Sequence, residues 1–166
     1  MPHKFLPFSR YVFLDMNNVL VLGGLDDTHQ VNDFFTNYVY DLKIISINKM
    51  EEMYVCNARS AMMTGRGCFG VCSMDNFIYV FGGVTGKNFD SLIANATGHG
   101  LLNLEDSTTE PDEITEGLSD LCEKYDFQDD QWYQIAPIPY PMRNPGCCAL
   151  TSDSVYLFGG KTAGEG

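Results

Sequence analysis

Three short segments decide the fold: NVLVLGG at residues 18–24, FIYVFGG at 77–83 and SVYLFGG at 154–160. Each is an apolar run of β-branched and aromatic residues that ends in two glycines. A run that is apolar on both faces indicates a strand covered on both sides. The glycines end the strand and, because they lack a Cβ, let another backbone approach closely. The three pairs are Gly23–Gly24, Gly82–Gly83 and Gly159–Gly160.

The residues around each run repeat as well. Another strand and a polar turn precede each run, and a second hairpin follows the first two. Four short antiparallel strands at a spacing near fifty residues are typical of a β-propeller blade. Residues that favour tight hairpin turns stand between the first two strands of each unit. These turn residues are Asn17–Asn18, Asp75–Asn76 and Ser152–Asp153.

The second unit resembles the kelch-repeat family. After its diglycine it carries Tyr125 and Asp126, then Trp132 six residues further on, and then Pro137 and Arg143. The resemblance implies an all-β fold of consecutive four-stranded antiparallel blades, here a partial, open propeller with one long acidic loop insertion. In such a fold these residues build blades, and large aromatic side chains fill the gap between neighbouring blades.

The first unit departs from this pattern. Tyr40 and Asp41 match the Tyr-Asp pair, and Arg59 matches the downstream arginine, but Ile47 stands where the tryptophan is expected. The third unit stops just after its diglycine. We therefore expect repeat 1 at about 10–59, repeat 2 at 60–143 with an insertion at about 87–121, and a partial repeat 3 at 144–166.

A closed propeller needs about four to eight blades. Two full units and half of a third indicate a fragment of a longer propeller. The alternative is that the 166 residues are the whole product and that copies self-associate to complete a ring.

The net charge of −12 disfavours nucleic acid and anionic membranes as partners. Eleven of the 22 acidic residues lie within 105–130, accompanied by a single base, Lys124. A long loop is usually functional or disordered, so this one is either an acidic arm that recognises a basic protein or a solvated, tolerated insertion. A short helix is predicted around 111–121. The candidate partner-binding residues are Glu105, Asp106, Glu110, Asp112, Glu113 and Glu116.

No residue pattern points to catalysis, a cofactor or a metal. The six cysteines and three histidines are not spaced as zinc ligands, and the G-x-G-x-x-G at 65–70 lacks the following helix of a dinucleotide site. There is no membrane-length apolar run and no signal peptide, which favours a cytoplasmic protein with reduced thiols.

The resemblance thus implies a non-catalytic module or scaffold for protein–protein interaction. In kelch propellers the loops that join strands two and three, and those that join successive blades, lie on one face that often binds the partner. The alternative is a fragment of a kelch-like propeller enzyme of the oxidase or sugar epimerase type, since the family includes both. Fold alone does not decide between these functions.

Overall fold

The computed structural model describes residues 6–26, 35–48, 51–85 and 117–162, and for 44–48 and 51–54 only the backbone. These residues form twelve strands and no helix. In chain order the strands are β1 (Arg10–Phe13), β2 (Asn18–Leu22), β3 (Val39–Asn48), β4 (Glu51–Arg59), β5 (Gly70–Met74), β6 (Phe77–Phe81), β7 (Cys122–Asp126), β8 (Gln131–Ile135), β9 (Met142–Arg143), β10 (Gly146–Thr151), β11 (Ser154–Phe158) and β12 (Lys161–Thr162).

The strands form consecutive antiparallel blades. Blade 1 is the four-stranded sheet β1–β2–β3–β4, and blade 2 is the four-stranded sheet β5–β6–β7–β8. Blade 3 consists of the pair β10–β11, and β9 pairs separately with β12. The first strands of the blades, β1, β5 and β10, lie side by side, as the inner strands of a propeller do around its axis. The predicted all-β fold of four-stranded antiparallel propeller blades is confirmed, and an open, partial propeller is consistent with it.

Blades 1 and 2 are held together by an apolar core. Leu20, Leu22 and Val39 of blade 1 pack in one cluster with Ile78 and Tyr125 of blade 2. All five side chains are almost fully buried. Burial of such side chains contributes about 1.5–3 kcal/mol each, so this interface is a main source of stability.

A second core lies between blades 2 and 3. Cys72, Phe81 and Cys122 of blade 2 are buried, and Val155 and Leu157 of β11 pack against them. Since blade 3 contributes two strands here, it covers the inner half of the facing sheet.

The register of the sheets revises the match between the first two units. Tyr125 lies opposite Ile78, four residues before Gly82, and Leu42 lies opposite Val19, four residues before Gly23. Leu42, rather than Tyr40, therefore occupies the position of Tyr125.

The tryptophan position also differs from the expectation. Trp132 pairs with Tyr125, and its counterpart opposite Leu42 is Cys56 of β4. Ile47 belongs to the third strand, because β3 runs without a break from Val39 to Asn48.

Arg59 likewise does not correspond to Arg143. It lies opposite Val39 at the end of β4, the position that Ile135 occupies opposite Cys122 in blade 2. Spacing copied from the second unit failed here because β3 and β4 are ten and nine residues long, whereas β7 and β8 have five each.

The diglycines turn the chain at the end of the second strand of each unit. All six glycines have positive φ, for example +100° at Gly83. A Cβ on Gly83 would lie 2.7 Å from the carbonyl oxygen of Gly67, so a side chain would collide with the neighbouring connection. Both the positive φ and the close approach require glycine.

The predicted helix at 111–121 falls mainly on residues outside the described ranges. Of its described part, Gly117 lies in a turn and Leu118 forms a β-bridge with Val84, so residues 117–121 are not helical. None of the described residues belongs to a helix long and apolar enough to span a membrane.

Candidate partner-binding face

The connections between strands meet on one side of the described blades, which we call the loop face. Hydrogen bonds join them: the Gly24 N–H donates to the carbonyl of Arg66 at 3.0 Å, and the Gly83 N–H donates to that of Met142 at 2.8 Å. Each diglycine is thereby tied to the connection that leads into the next blade. The loop face consists of residues 23–26, 35–38, 60–69, 82–85, 117–121 and 136–145.

A charged pair is buried beneath the loop face. Arg66 is 0% exposed and Glu123 is 2% exposed, and the guanidinium Nη2 donates to the carboxylate. Nη1 of the same arginine donates to the carbonyl oxygens of Gly82 and Leu121, each at 2.8 Å. Arg66 therefore joins the connection from blade 1 to both ends of the β6–β7 connection.

Glu123 extends this network in the other direction. Its carboxylate accepts the N–H of Met63 at 2.7 Å and that of Thr64 at 3.1 Å. These donors lie on the connection between blades, and Glu123 lies on β7. Buried charges are tolerated when they are paired and hydrogen-bonded, as here.

Neither residue was predicted as important. The first diglycine donates to the carbonyl of Arg66, and the second donates to the carbonyl of Met142. Met142 is therefore the counterpart of Arg66 in the second connection, and it is apolar. By register the counterpart of Glu123 in blade 1 is Tyr40. A search for repeated residues passes over such a pair. The sequence signal that could have indicated this pair is that Arg66 and Glu123 both depart from the repeat and carry opposite charges.

The acidic insertion leaves the loop face from a short paired stem. Val84 and Leu118 form a β-bridge, and the Thr85 N–H donates to the Gly117 carbonyl at 2.8 Å. The two ends of the insertion are therefore held together, directly above the Arg66 network. The predicted partner-binding residues lie outside the described ranges: Glu105, Asp106, Glu110, Asp112, Glu113 and Glu116.

Near the axis, backbone hydrogen bonds run from blade to blade. The Cys68 N–H donates to the Phe8 carbonyl at 3.4 Å, and the Asn144 N–H donates to the Cys68 carbonyl at 2.6 Å. All three residues precede an inner strand by two positions and have positive φ. Arg10 spans the same region, since its guanidinium donates to the Phe69 carbonyl and to Oδ1 of Asn144, each at 2.7 Å.

The aromatic residues of the second unit lie at the interface with blade 1. The rings of Tyr125 and Trp132 stack with centroids 4.9 Å apart, and the indole N–H donates to the Ser60 carbonyl at 2.8 Å. The Tyr125 hydroxyl donates to Asp130, which also accepts the Ser60 N–H. Burial and these contacts raise the pKa of Tyr125. This cluster joins blade 2 to the end of blade 1.

Charged residues at the outer part of this interface pair with one another. Arg59 donates to Asp41 at 2.9 Å, and its guanidinium lies 4.6 Å from the centroid of the Phe127 ring. Asp126 accepts the Gln128 N–H and so caps the turn between β7 and β8. These residues bind other parts of the blades, and they are not brought together into a pocket.

The other sequence-derived residues lie apart from this cluster. Tyr40 is half-buried in β3, Pro137 is exposed, and Arg143 is half-buried opposite Lys161. Gly159 and Gly160 end β11 and are exposed.

Large apolar side chains are exposed on the loop face. Tyr38, Met63 and Tyr140 are between 44% and 68% exposed, and each lies on or next to a hydrogen-bonded connection. Aromatic residues and methionine are enriched at protein interaction sites relative to the rest of the surface.

The thiols of Cys72 and Cys122, between blades 2 and 3, are buried, and that of Cys147 is partly buried. Burial raises the pKa of Cys72 to about 11 and that of Cys147 to about 12. Burial also raises the pKa of Cys68 and Cys122. Within the four described ranges, no group of three histidine, cysteine or acidic residues is placed to hold a metal ion.

Comparisons with known proteins support the fold. No protein-family model and no curated protein matches the chain. Among solved structures, it is similar to a copper-bound fungal alcohol oxidase of the AA5 family, with a TM-score of 0.54 and 15% identity over 86% of this chain. It is also similar to YjhT, with a TM-score of 0.50 and 20% identity over 89% of this chain.

The matched regions are small parts of those proteins. The chain spans 24% of the oxidase and 33% of YjhT. At such identities the likeness concerns the fold alone. Both neighbours are kelch-type propellers, and together with the antiparallel blades they fit a kelch-like β-propeller fold; no family model confirms kelch repeats in this chain.

Proposed function

We propose that this chain is a non-catalytic module that recognises a partner protein through its loop face. The observation that carries the proposal is the exposure of Tyr38, Met63 and Tyr140 on connections whose backbones are hydrogen-bonded in place. Apolar side chains held by an ordered backbone lose little conformational freedom on binding, which favours recognition.

The charge of the acidic insertion indicates which charge the proposed partner carries. Its described ends, around Thr85 and Gly117, lie within the loop face. Eight of the 22 acidic residues lie within the insertion at 87–121, against one base, so a basic protein surface is the complementary partner. The same charge favours a protein partner over nucleic acid or an anionic membrane.

Site-specific photo-crosslinking tests this proposal. A photoreactive phenylalanine analogue is placed at Met63 or Tyr140 on the loop face, or at Met16 as a control. Met16 is 95% exposed and lies in the β1–β2 turn, away from the connections. We expect the first two positions to capture the same protein from cells and Met16 not to capture it. Equal capture at all three positions would overturn the proposal.

The rival function is that of a propeller enzyme. One structural neighbour is described as a copper-bound alcohol oxidase, at an identity that supports only the fold. Copper-dependent oxidation of alcohols, or epimerisation of a sugar, by the purified chain would favour this alternative. Sedimentation of the chain at several concentrations separates both functions from self-association, which would appear as a concentration-dependent increase in mass.

A further inference from the structure

A cavity lies between blades 1 and 2, at the end of the strands opposite to the loop face. Its volume is about 220 Å³, and the β1–β2, β5–β6 and β7–β8 turns border it. Its lining consists of Leu14 from blade 1 and of Ser73, Asp75, Asn76, Ile78 and Phe127 from blade 2. Both walls belong to four-stranded blades, so the contact between two blades forms the cavity.

The size of the cavity limits what it can hold. An apolar cavity of about 150 Å³ accommodates a benzene molecule, whereas pockets for drug-sized ligands and cofactors measure about 300–1,000 Å³. A volume of about 220 Å³ lies between these values. The cavity therefore suits a group the size of one long side chain.

The inner part of the cavity is apolar. Ile78 is 1% exposed and belongs to the core between the blades, and Leu14 and Phe127 pack against that core. The Phe127 ring also attracts a guanidinium group, since that of Arg59 lies 4.6 Å from its centroid. Such a wall suits an aliphatic stem that ends in a planar cation.

The mouth of the cavity carries polar side chains that the protein itself does not use. Ser73, Asp75 and Asn76 are exposed, and their side chains make no hydrogen bond or ion pair with the described residues. Asp15 and Asp153, in the corresponding turns of blades 1 and 3, each accept hydrogen bonds within their own turn. Only in blade 2 is the turn carboxylate left available to a ligand.

The charge of the lining selects a cation. Asp75 is its one charged residue, and no lysine or arginine contributes to it. The nearby Arg59 is neutralised by Asp41, to which it donates at 2.9 Å. An anionic ligand would meet a carboxylate without a compensating cation, whereas a cationic ligand would gain a partner.

We propose that this cavity binds an arginine side chain of a partner protein. The alkyl stem would lie against Leu14 and Ile78, and the guanidinium would lie beside Phe127 and donate to the Asp75 carboxylate. The hydroxyl of Ser73 and the side-chain carbonyl of Asn76 offer further acceptors for its N–H groups. The site lies at the end of the strands opposite to the loop face, so its test does not depend on the proposed function above.

Arginine suits this cavity better than lysine does. A guanidinium is planar, weakly hydrated and able to stack on an aromatic ring, and its five donors match several acceptors at once. An ammonium is a compact and strongly hydrated point charge, so it loses more hydration on entering a partly apolar cavity. The mixture of one aromatic ring, one carboxylate and two neutral acceptors therefore favours arginine.

Amide NMR spectra of the full chain test the proposal, with the blocked peptide Gly-Arg-Gly as the probe. We expect shift changes at Asp75, Asn76 and Phe127 that saturate with a dissociation constant of about 1 mM or below, the affinity within reach of a single enclosed side chain. The same peptide with citrulline, which has the shape of arginine without its charge, should bind about fivefold or more weakly. The lysine peptide should bind about threefold or more weakly.

Three results with these probes would overturn the proposal. The first is shift changes that rise linearly without saturation, or that appear equally at all exposed carboxylates. The second is binding of the citrulline or lysine peptide as tight as that of the arginine peptide. The third is tighter binding of free arginine than of the peptide, which would assign the cavity to a small molecule.

A charge variant of the protein tests the role of the carboxylate. Asp75→Asn keeps the turn, because asparagine also adopts the positive φ of +54° at this position. It should weaken binding of the arginine peptide about threefold or more. Asp129→Asn is the matched control, since Asp129 is exposed in the neighbouring β7–β8 turn and does not line the cavity. Equal weakening by the two variants would mean attraction by net charge alone and would contradict the proposed site.

Discussion

Replacing Arg66 with methionine tests whether the buried ion pair holds blades 1 and 2 together. Methionine is chosen because Met142 occupies the equivalent position in the next connection. The change removes the ion pair and two hydrogen bonds to carbonyl groups, and it leaves the Glu123 carboxylate buried without its cation. Removing one partner of a buried pair costs about 3–5 kcal/mol, so the free energy of unfolding should fall by that amount.

Urea unfolding at neutral pH measures this effect. Trp132, the single tryptophan, lies at the same interface and reports its opening by fluorescence. Arg143→Met is the matched control, because Arg143 makes no side-chain hydrogen bond or ion pair with the described residues and is partly exposed. It should change the free energy of unfolding by no more than about 0.5 kcal/mol.

The double variant sharpens the test. Combining Arg66→Met with Glu123→Gln removes both charges, so the cost should be smaller than the sum of the two single costs by about 0.5–3 kcal/mol. The reasoning is refuted if Arg66→Met costs less than about 1 kcal/mol, or if it costs no more than Arg143→Met.

Three further predictions concern the interfaces between the blades. Trp132→Ala should lower the free energy of unfolding by about 3–5 kcal/mol, since it removes the ring stacked on Tyr125; an unchanged midpoint in circular dichroism would contradict the blade assignment. Burial alone would raise the pKa of Asp130, but hydrogen bonds from Tyr125 and Ser60 lower it below the usual 3.8. Its contribution to stability is therefore present above pH 3.8 and lost as the pH falls through its folded pKa. The melting temperature of Asp130→Asn should depend less on pH in this acid range, and a parallel dependence would argue against the bond. Burial raises the pKa of Cys147 to about 12, so iodoacetamide should alkylate it more slowly in the folded than in the unfolded protein, as followed by mass spectrometry; equal rates would show that the thiol is accessible.

Much of the fold could be predicted from local patterns. The three apolar runs with diglycines define β2, β6 and β11, and the turn at Asp75–Asn76 lies where hairpin chemistry places it. These features depend only on residues that are neighbours in sequence, so they can be predicted without knowing how the rest of the chain folds.

The register between the strands was harder to predict from the sequence. Tyr40 was matched to Tyr125, whereas strand pairing puts Leu42 there. A shift of two residues keeps every side chain on its face, so the apolar pattern of β3 cannot distinguish the two alignments. The pairing of β3 with β2 distinguishes the two alignments. This pairing begins next to the turn at Gly23.

The sequence by itself determined the local units: where strands run, where glycines must turn the chain, and where acidic charge accumulates. Only the tertiary structure decided which distant groups meet. Arg66 and Glu123 are 57 positions apart, and Trp132 reaches Ser60 across 72 positions. These contacts depend on how the blades pack and exclude water, and exclusion of water is what makes it costly to remove one partner of a buried pair.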